Sequence, residues 1–136
     1  MKKIFLILLM GFISFNLSAA AAFAEAFDAE GNGVTWTFYT DDSKNAKRAC
    51  IQARKNLQKQ GQKKVRCNVS TSLVKGHYAV LFTAFWVDGK LRKRFSFGFS
   101  GKSGEDAKKN AEKNLQKHIK GWTKNDGFVV REVKEF

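Results

Sequence analysis

Residues 78–99 read YAVLFTAFWVDGKLRKRFSFGF. Val87-Asp88-Gly89-Lys90 stands near their centre, and Asp-Gly is the pair that tolerates the positive φ of a two-residue hairpin turn. Side chains alternate faces along a strand, so pairing across this turn sets two groups apart. Tyr78, Val80, Phe82, Ala84 and Trp86 share one face with Leu91, Lys93, Phe95, Phe97 and Phe99, which predicts the core face. Leu81, Thr83 and Phe85 share the other with Arg92, Arg94 and Ser96.

The pattern extends outward on both sides. After Gly101, Ser103 is placed to cap a helix whose inner stripe is Ala107, Ala111, Leu115 and Ile119. Phe128 to Val133 then reads as a final strand. Upstream, Val34, Trp36 and Phe38 alternate with Thr35, Thr37 and Tyr39 as a strand. Asp41, Asp42 or Ser43 would cap the next helix, in which Ala46, Ala49, Cys50, Ala53 and Leu57 recur at helical spacing until Gly61 stops it. Val65, Cys67 and Val69 alternate as the following strand. The two helices are related: at an offset of 58, Ala49, Ala53, Lys55, Asn56, Leu57, Gln58 and Lys59 recur as Ala107, Ala111, Lys113, Asn114, Leu115, Gln116 and Lys117. Internal duplication is the favoured reading. The expected fold is a two-layer α+β domain, a largely antiparallel sheet of about five strands with both helices on one face, in the order strand-helix-strand, strand, strand-helix-strand.

The first 24 residues read as a secretory signal peptide. Lys2 and Lys3 precede an apolar run from Ile4 to Leu17, and Ala22-Phe23-Ala24 gives a small-x-small cleavage pattern before Glu25. The run is shorter than the roughly 20 residues a membrane-spanning helix needs. The expected domain is therefore residues 25–136 of an exported protein, periplasmic or secreted. Export makes a disulfide between Cys50 and Cys67 the expected state of the chain's two cysteines. Closing so short a loop stabilises a fold by about 3 kcal/mol.

The whole chain carries a net charge of +13, and the charge is unevenly distributed. Residues 25–42 hold five acids and no base, whereas residues 43–87 hold ten bases and no acid. Such a stretch cannot neutralise itself locally, so its cations face water or an external anion. The candidate contacts are Lys44, Lys47, Arg48, Arg54, Lys55 and Lys59 on the first helix, Arg92 and Arg94 on the hairpin, and Lys108, Lys109, Lys113 and Lys117 on the second helix.

Phe95-Ser96-Phe97-Gly98-Phe99 resembles the aromatic strand of RNA-recognition domains, on which bases stack. Gly98 to Leu115 is similar to the last helix of double-stranded-RNA-binding domains. Glu105-Asp106-Ala107 with Trp122 and residues 128–133 looks like the helix-strand unit of dodecins. Each covers well under half of residues 25–136, and no site residue is carried over from any of them. Phe95, Phe97 and Phe99 are expected to pack as core under the alanine-rich helices.

No nucleophile elbow, phosphate loop or metal-ligand spacing is present in the sequence. The expected function is a non-catalytic binding protein, with neither cofactor nor metal, that contacts nucleic acid, lipopolysaccharide or another envelope polyanion through its helices. An alternative is an inhibitor or immunity-type antagonist that binds an acidic protein. A lower alternative is a small ribonuclease in which His77 and His118 converge as general acid and base.

Overall fold

Asp88 and Gly89 adopt φ values of 52° and 77°, the left-handed pair that a two-residue hairpin turn requires. A computed structural model describes residues 20–41, 45–73 and 75–136. The elements are β1 (Ala20–Phe27), β2 (Gly33–Asp41), α1 (Ala46–Lys59), β3 (Lys64–Thr71), β4 (His77–Val87), β5 (Lys90–Ser100), α2 (Gly104–His118), a 3-10 turn at Lys124–Asp126 and β6 (Val129–Glu135). The hairpin β4–β5 pairs in unbroken register from Val87↔Lys90 to His77↔Ser100.

The strands form two antiparallel three-stranded sheets, ordered β2-β1-β3 and β5-β4-β6, and not one sheet of about five. Each half of the chain runs hairpin, helix, strand, and in each the first strand is central. The additional strand is β1, which begins at Ala20 and so includes five residues of the segment expected as leader.

The layering also differs from the expected two layers. In β1, Ala20, Ala22, Ala24 and Ala26 pack with Ala49, Ala53 and Leu57 of α1. On its other side Phe23 joins Tyr78, Val80, Phe95 and Phe97 of the second sheet. Beyond that sheet, Ala79, Leu81 and Phe85 pack with Ala107, Ala111 and Leu115 of α2. The order is helix, sheet, sheet, helix, with the two helices on opposite outer faces. The physical reason lies in the hairpin: both faces of β4 are apolar, and helices on one face alone would leave the other in water. The inter-sheet layer is aromatic. Phe23 stacks on Phe97 with centroids 4.4 Å apart and meets Tyr78 edge-on at 5.1 Å.

Small residues set how closely the helices approach. A Cβ at Gly98 would lie 2.3 Å from the backbone nitrogen of Ala111, so α2 rests directly on β5. Ser96 Oγ donates to the Ala111 carbonyl, and Asn110 and Asn114 donate to the carbonyls of Phe99 and Phe97. Ser103 caps α2 by accepting from Asp106 N, as the sequence predicts. The cap of α1 is Asn45, which accepts from Arg48 N; Asp41 lies in β2, and Asp42 and Ser43 lie outside the described residues. Gly61, at φ 92°, turns the chain out of α1 into β3.

Several assignments change. Phe95, Phe97 and Phe99, expected under the helices, lie in the inter-sheet layer, and α2 instead covers Ala79, Leu81 and Phe85 on the opposite face. A bulge opposite Phe23/Ala24 leaves Val65 and Cys67 under α1 and turns Val69 to the inter-sheet layer. Trp86 and Leu91, expected in the core, are exposed, because the end of the β4–β5 hairpin lacks a covering layer there. The last strand starts at Val129, one residue later than expected. Cys50 and Cys67 are joined, with Cα atoms 5.4 Å apart, and tie α1 to its sheet.

Tyr78 donates its hydroxyl to the Glu132 carboxylate on β6. Burial, and then the Glu132 interaction, hold its pKa well above the ordinary tyrosine value. A proton held more tightly in the folded state adds stability that is complete below the unfolded value near 10 and is lost as the pH rises beyond it. Thermal melts from pH 8 to 11.5 therefore show a loss above about pH 10 that is shallower in Tyr78→Phe.

Candidate functional site

β3 is an edge strand, and two grooves lie along it. The first, about 750 Å³, is lined by Arg54 of α1, by Lys63, Lys64, Val65, Arg66 and Cys67, and by Phe27 and Gly31 at the end of the β1–β2 hairpin. The second, about 610 Å³, lies between Val69-Ser70-Thr71 and α2, where Lys113, Lys117, Asn110 and Asn114 line it. No carboxylate lines either groove. Lys64 to Ser70 spans about 20 Å at 3.3 Å per strand residue. Cations from both halves of the chain thus flank one strand.

The first groove is organised by a ring. The guanidinium of Arg66 lies 4.9 Å from the Phe27 centroid, and that of Arg94, from the other sheet, lies 5.0 Å from it. Such contacts fix a guanidinium through the ring quadrupole and leave its edge N–H groups for an acceptor. None of Arg54, Lys63, Lys64 and Arg66 forms an ion pair among the described residues.

Arg94 has a different role. Its Nε and one terminal nitrogen each lie 3.2 Å from an oxygen of Glu25, a carboxylate with no exposure. Glu25 also accepts from Asn68 Nδ2 at 2.8 Å and from the backbone nitrogen of Phe95 at 3.0 Å. A Cβ at Gly33 would stand 2.3 Å from the Glu25 Oε2, so only glycine leaves room for this carboxylate. Arg94, expected as an anion contact, is therefore the internal counter-ion joining the two sheets.

The other expected contacts are dispersed. Lys47, Lys55 and Lys59 lie on α1 and Lys108 and Lys109 on α2, on opposite outer layers, so the two helices present no single lysine face. Arg48 pairs with Asp41 at 3.5 Å and Lys108 with Glu105 at 3.3 Å. Arg92 donates to the Glu30 carbonyl. Lys44 lies outside the described residues. Of the expected set, Arg54, Lys113 and Lys117 line the β3 grooves. Lys63, Lys64 and Arg66 were not singled out, although their cluster directly after the Gly61 turn was the available signal.

The two histidines do not converge. His118 lines a hollow with Phe85, Val87 and Arg92, whereas His77 stands at the other end of β4 beside Gly101 and Glu135. The eight strand steps from His77 to Phe85 correspond to about 26 Å, well beyond the reach of a shared proton transfer. Among the described residues no group of three or more His, Cys, Asp or Glu could hold a metal ion, and no helix is long and apolar enough to cross a membrane. No family model, curated protein or solved structure matches the chain.

Removing Arg94 leaves Glu25 buried without its counter-ion, which costs about 3–5 kcal/mol in such sites. Urea unfolding of Arg94→Ala should show a loss of that order, partly recovered when Glu25→Gln is added. Lys64→Ala should stay within about 0.5 kcal/mol of the parent, as exposed substitutions do.

Proposed function

We propose that this protein is an exported, non-catalytic binding module that holds an anionic polymer, such as nucleic acid, lipopolysaccharide or another envelope polyanion, along the edge of β3. The observation that carries the reading is the pair of carboxylate-free grooves flanking that strand, with Arg54, Lys63, Lys64 and Arg66 in one and Lys113 and Lys117 in the other. Phosphate or sulfate groups would meet the lysines as point charges and the Arg66 guanidinium through paired N–H donors. A continuous strand edge lined with cations suits a linear ligand better than a small molecule, because neither groove encloses what it contacts. Binding would be driven by release of the polymer's counterions. The apolar N-terminal run and the Cys50–Cys67 disulfide support an oxidising destination.

We also read the two halves as copies of one β-β-α-β unit. The identical order of elements and the matching buried positions Ala49, Ala53, Leu57 and Ala107, Ala111, Leu115 support this.

A second reading, binding of an acidic protein, is favoured by one feature. Trp86 is 68% exposed beside Leu91, in a hollow lined by Lys90, Arg92 and Lys93 as well as Asp28 and Glu30, and exposed tryptophans often anchor protein interfaces. A one-to-one complex with an envelope protein that Trp86→Ala breaks and DNA fails to compete would select this reading.

Fluorescence anisotropy with a single-stranded DNA 20-mer across a salt series tests the polymer reading. Six contacting cations give a slope of log K against log salt of about −4. Lys63→Ala with Lys64→Ala should weaken binding and reduce the slope by about 1.4, whereas Lys55→Ala with Lys59→Ala should leave both nearly unchanged. Binding insensitive to salt would sink the proposal.

A further inference from the structure

β1 is packed on every side. It hydrogen-bonds to β2 and β3, its even-numbered alanines lie under α1, and Phe23 and Glu25 enter the inter-sheet layer. The small-x-small pattern at Ala22-Phe23-Ala24 would cut this strand in its middle. Such a cut discards Phe23, the ring in contact with Trp36, Phe38, Tyr78, Phe97 and Phe99. It also discards Ala22 and removes Ala24, both of which pack under α1.

A second small-x-small triplet, Ser18-Ala19-Ala20, ends where the strand begins. Ala20 pairs only with Asp41, whereas two-sided pairing starts at Ala21, opposite Thr40 of β2 and Thr71 of β3. A cut after Ala20 therefore retains every residue of β1 that is paired on both sides.

We propose that the exporting cell's leader peptidase hydrolyses the Ala20–Ala21 bond, so that the folded protein starts at Ala21 with the rest of β1 intact. Water adds across that peptide bond, leaving a carboxylate on Ala20 of the released leader and an amine on Ala21. The inference rests on the export reading and adds to it the position of processing.

The test is expression of the full chain with a C-terminal tag in a bacterium, followed by intact mass and N-terminal sequencing of the envelope fraction. The expected first residue is Ala21. Ser18→Lys, which alters the triplet without touching the described strand, should abolish or displace that cut, whereas it would leave a cut after Ala24 unaffected. Glu25, or any other first residue in the parent chain, overturns the assignment. Retention of Met1 with the protein confined to the cytoplasm overturns the export reading itself, an outcome distinct from cleavage at a different bond.

Discussion

The buried carboxylate of Glu25 is the constraint around which the two halves of this molecule are arranged. It sits on the central strand of one sheet and takes donors from Asn68 on β3 and from both the side chain of Arg94 and the backbone of Phe95 on β5. A carboxylate without solvent is tolerated only when its lone pairs are met and its charge is balanced. That requirement specifies a guanidinium from the opposite sheet, a side-chain amide from Asn68 and a glycine at position 33. It also occupies the outward-facing amide of Phe95 on β5, an edge strand whose unpaired groups would otherwise invite association. The aromatic layer supplies the bulk of the inter-sheet burial, whereas Glu25 fixes how the sheets meet.

The same arrangement decides where the charge goes. Stacking two sheets face to face places α1 and α2 on opposite outer layers, so lysines that are equivalent in the two halves end up on different sides of the molecule. Arg94 is drawn inward, and Arg48 and Lys108 have carboxylate partners. Six of the remaining cations line the two grooves along β3. There the turn after Gly61 delivers Lys63, Lys64 and Arg66, and α2 of the other half leans over with Lys113 and Lys117. The cationic track thus depends on the packing of both halves together.

Much of this was legible in the residues, for identifiable reasons. Asp88-Gly89 announces its hairpin because few other pairs accept two positive φ values. Alanine stripes at helical spacing identify both helices, and two cysteines in an otherwise cysteine-free chain have one pairing. β1 was not legible as a strand: alanine has poor β-propensity, and a run of alanines behind an apolar segment reads as the end of a leader. The second sheet was foreshadowed by a hairpin with apolar residues on both faces, a pattern that requires cover on both sides. The bulge at Asn68 and the pairing of Arg94 with Glu25 arise from tertiary contacts between residues 43 and 69 positions apart, which no local pattern encodes. The same is true of the β3 track, because its lysines come from segments that only the sandwich brings together.

The most direct test of this account is the amide chemical-shift map of the folded protein titrated with a short anionic oligosaccharide or oligonucleotide. The account predicts that the shifted amides cluster along residues 63–71 and around Lys113 and Lys117, with the outer face of α1 from Lys47 to Lys55 largely unmoved. Shifts spread evenly over all lysine-bearing surfaces, or confined to α1 and the Trp86 hairpin end, would contradict it.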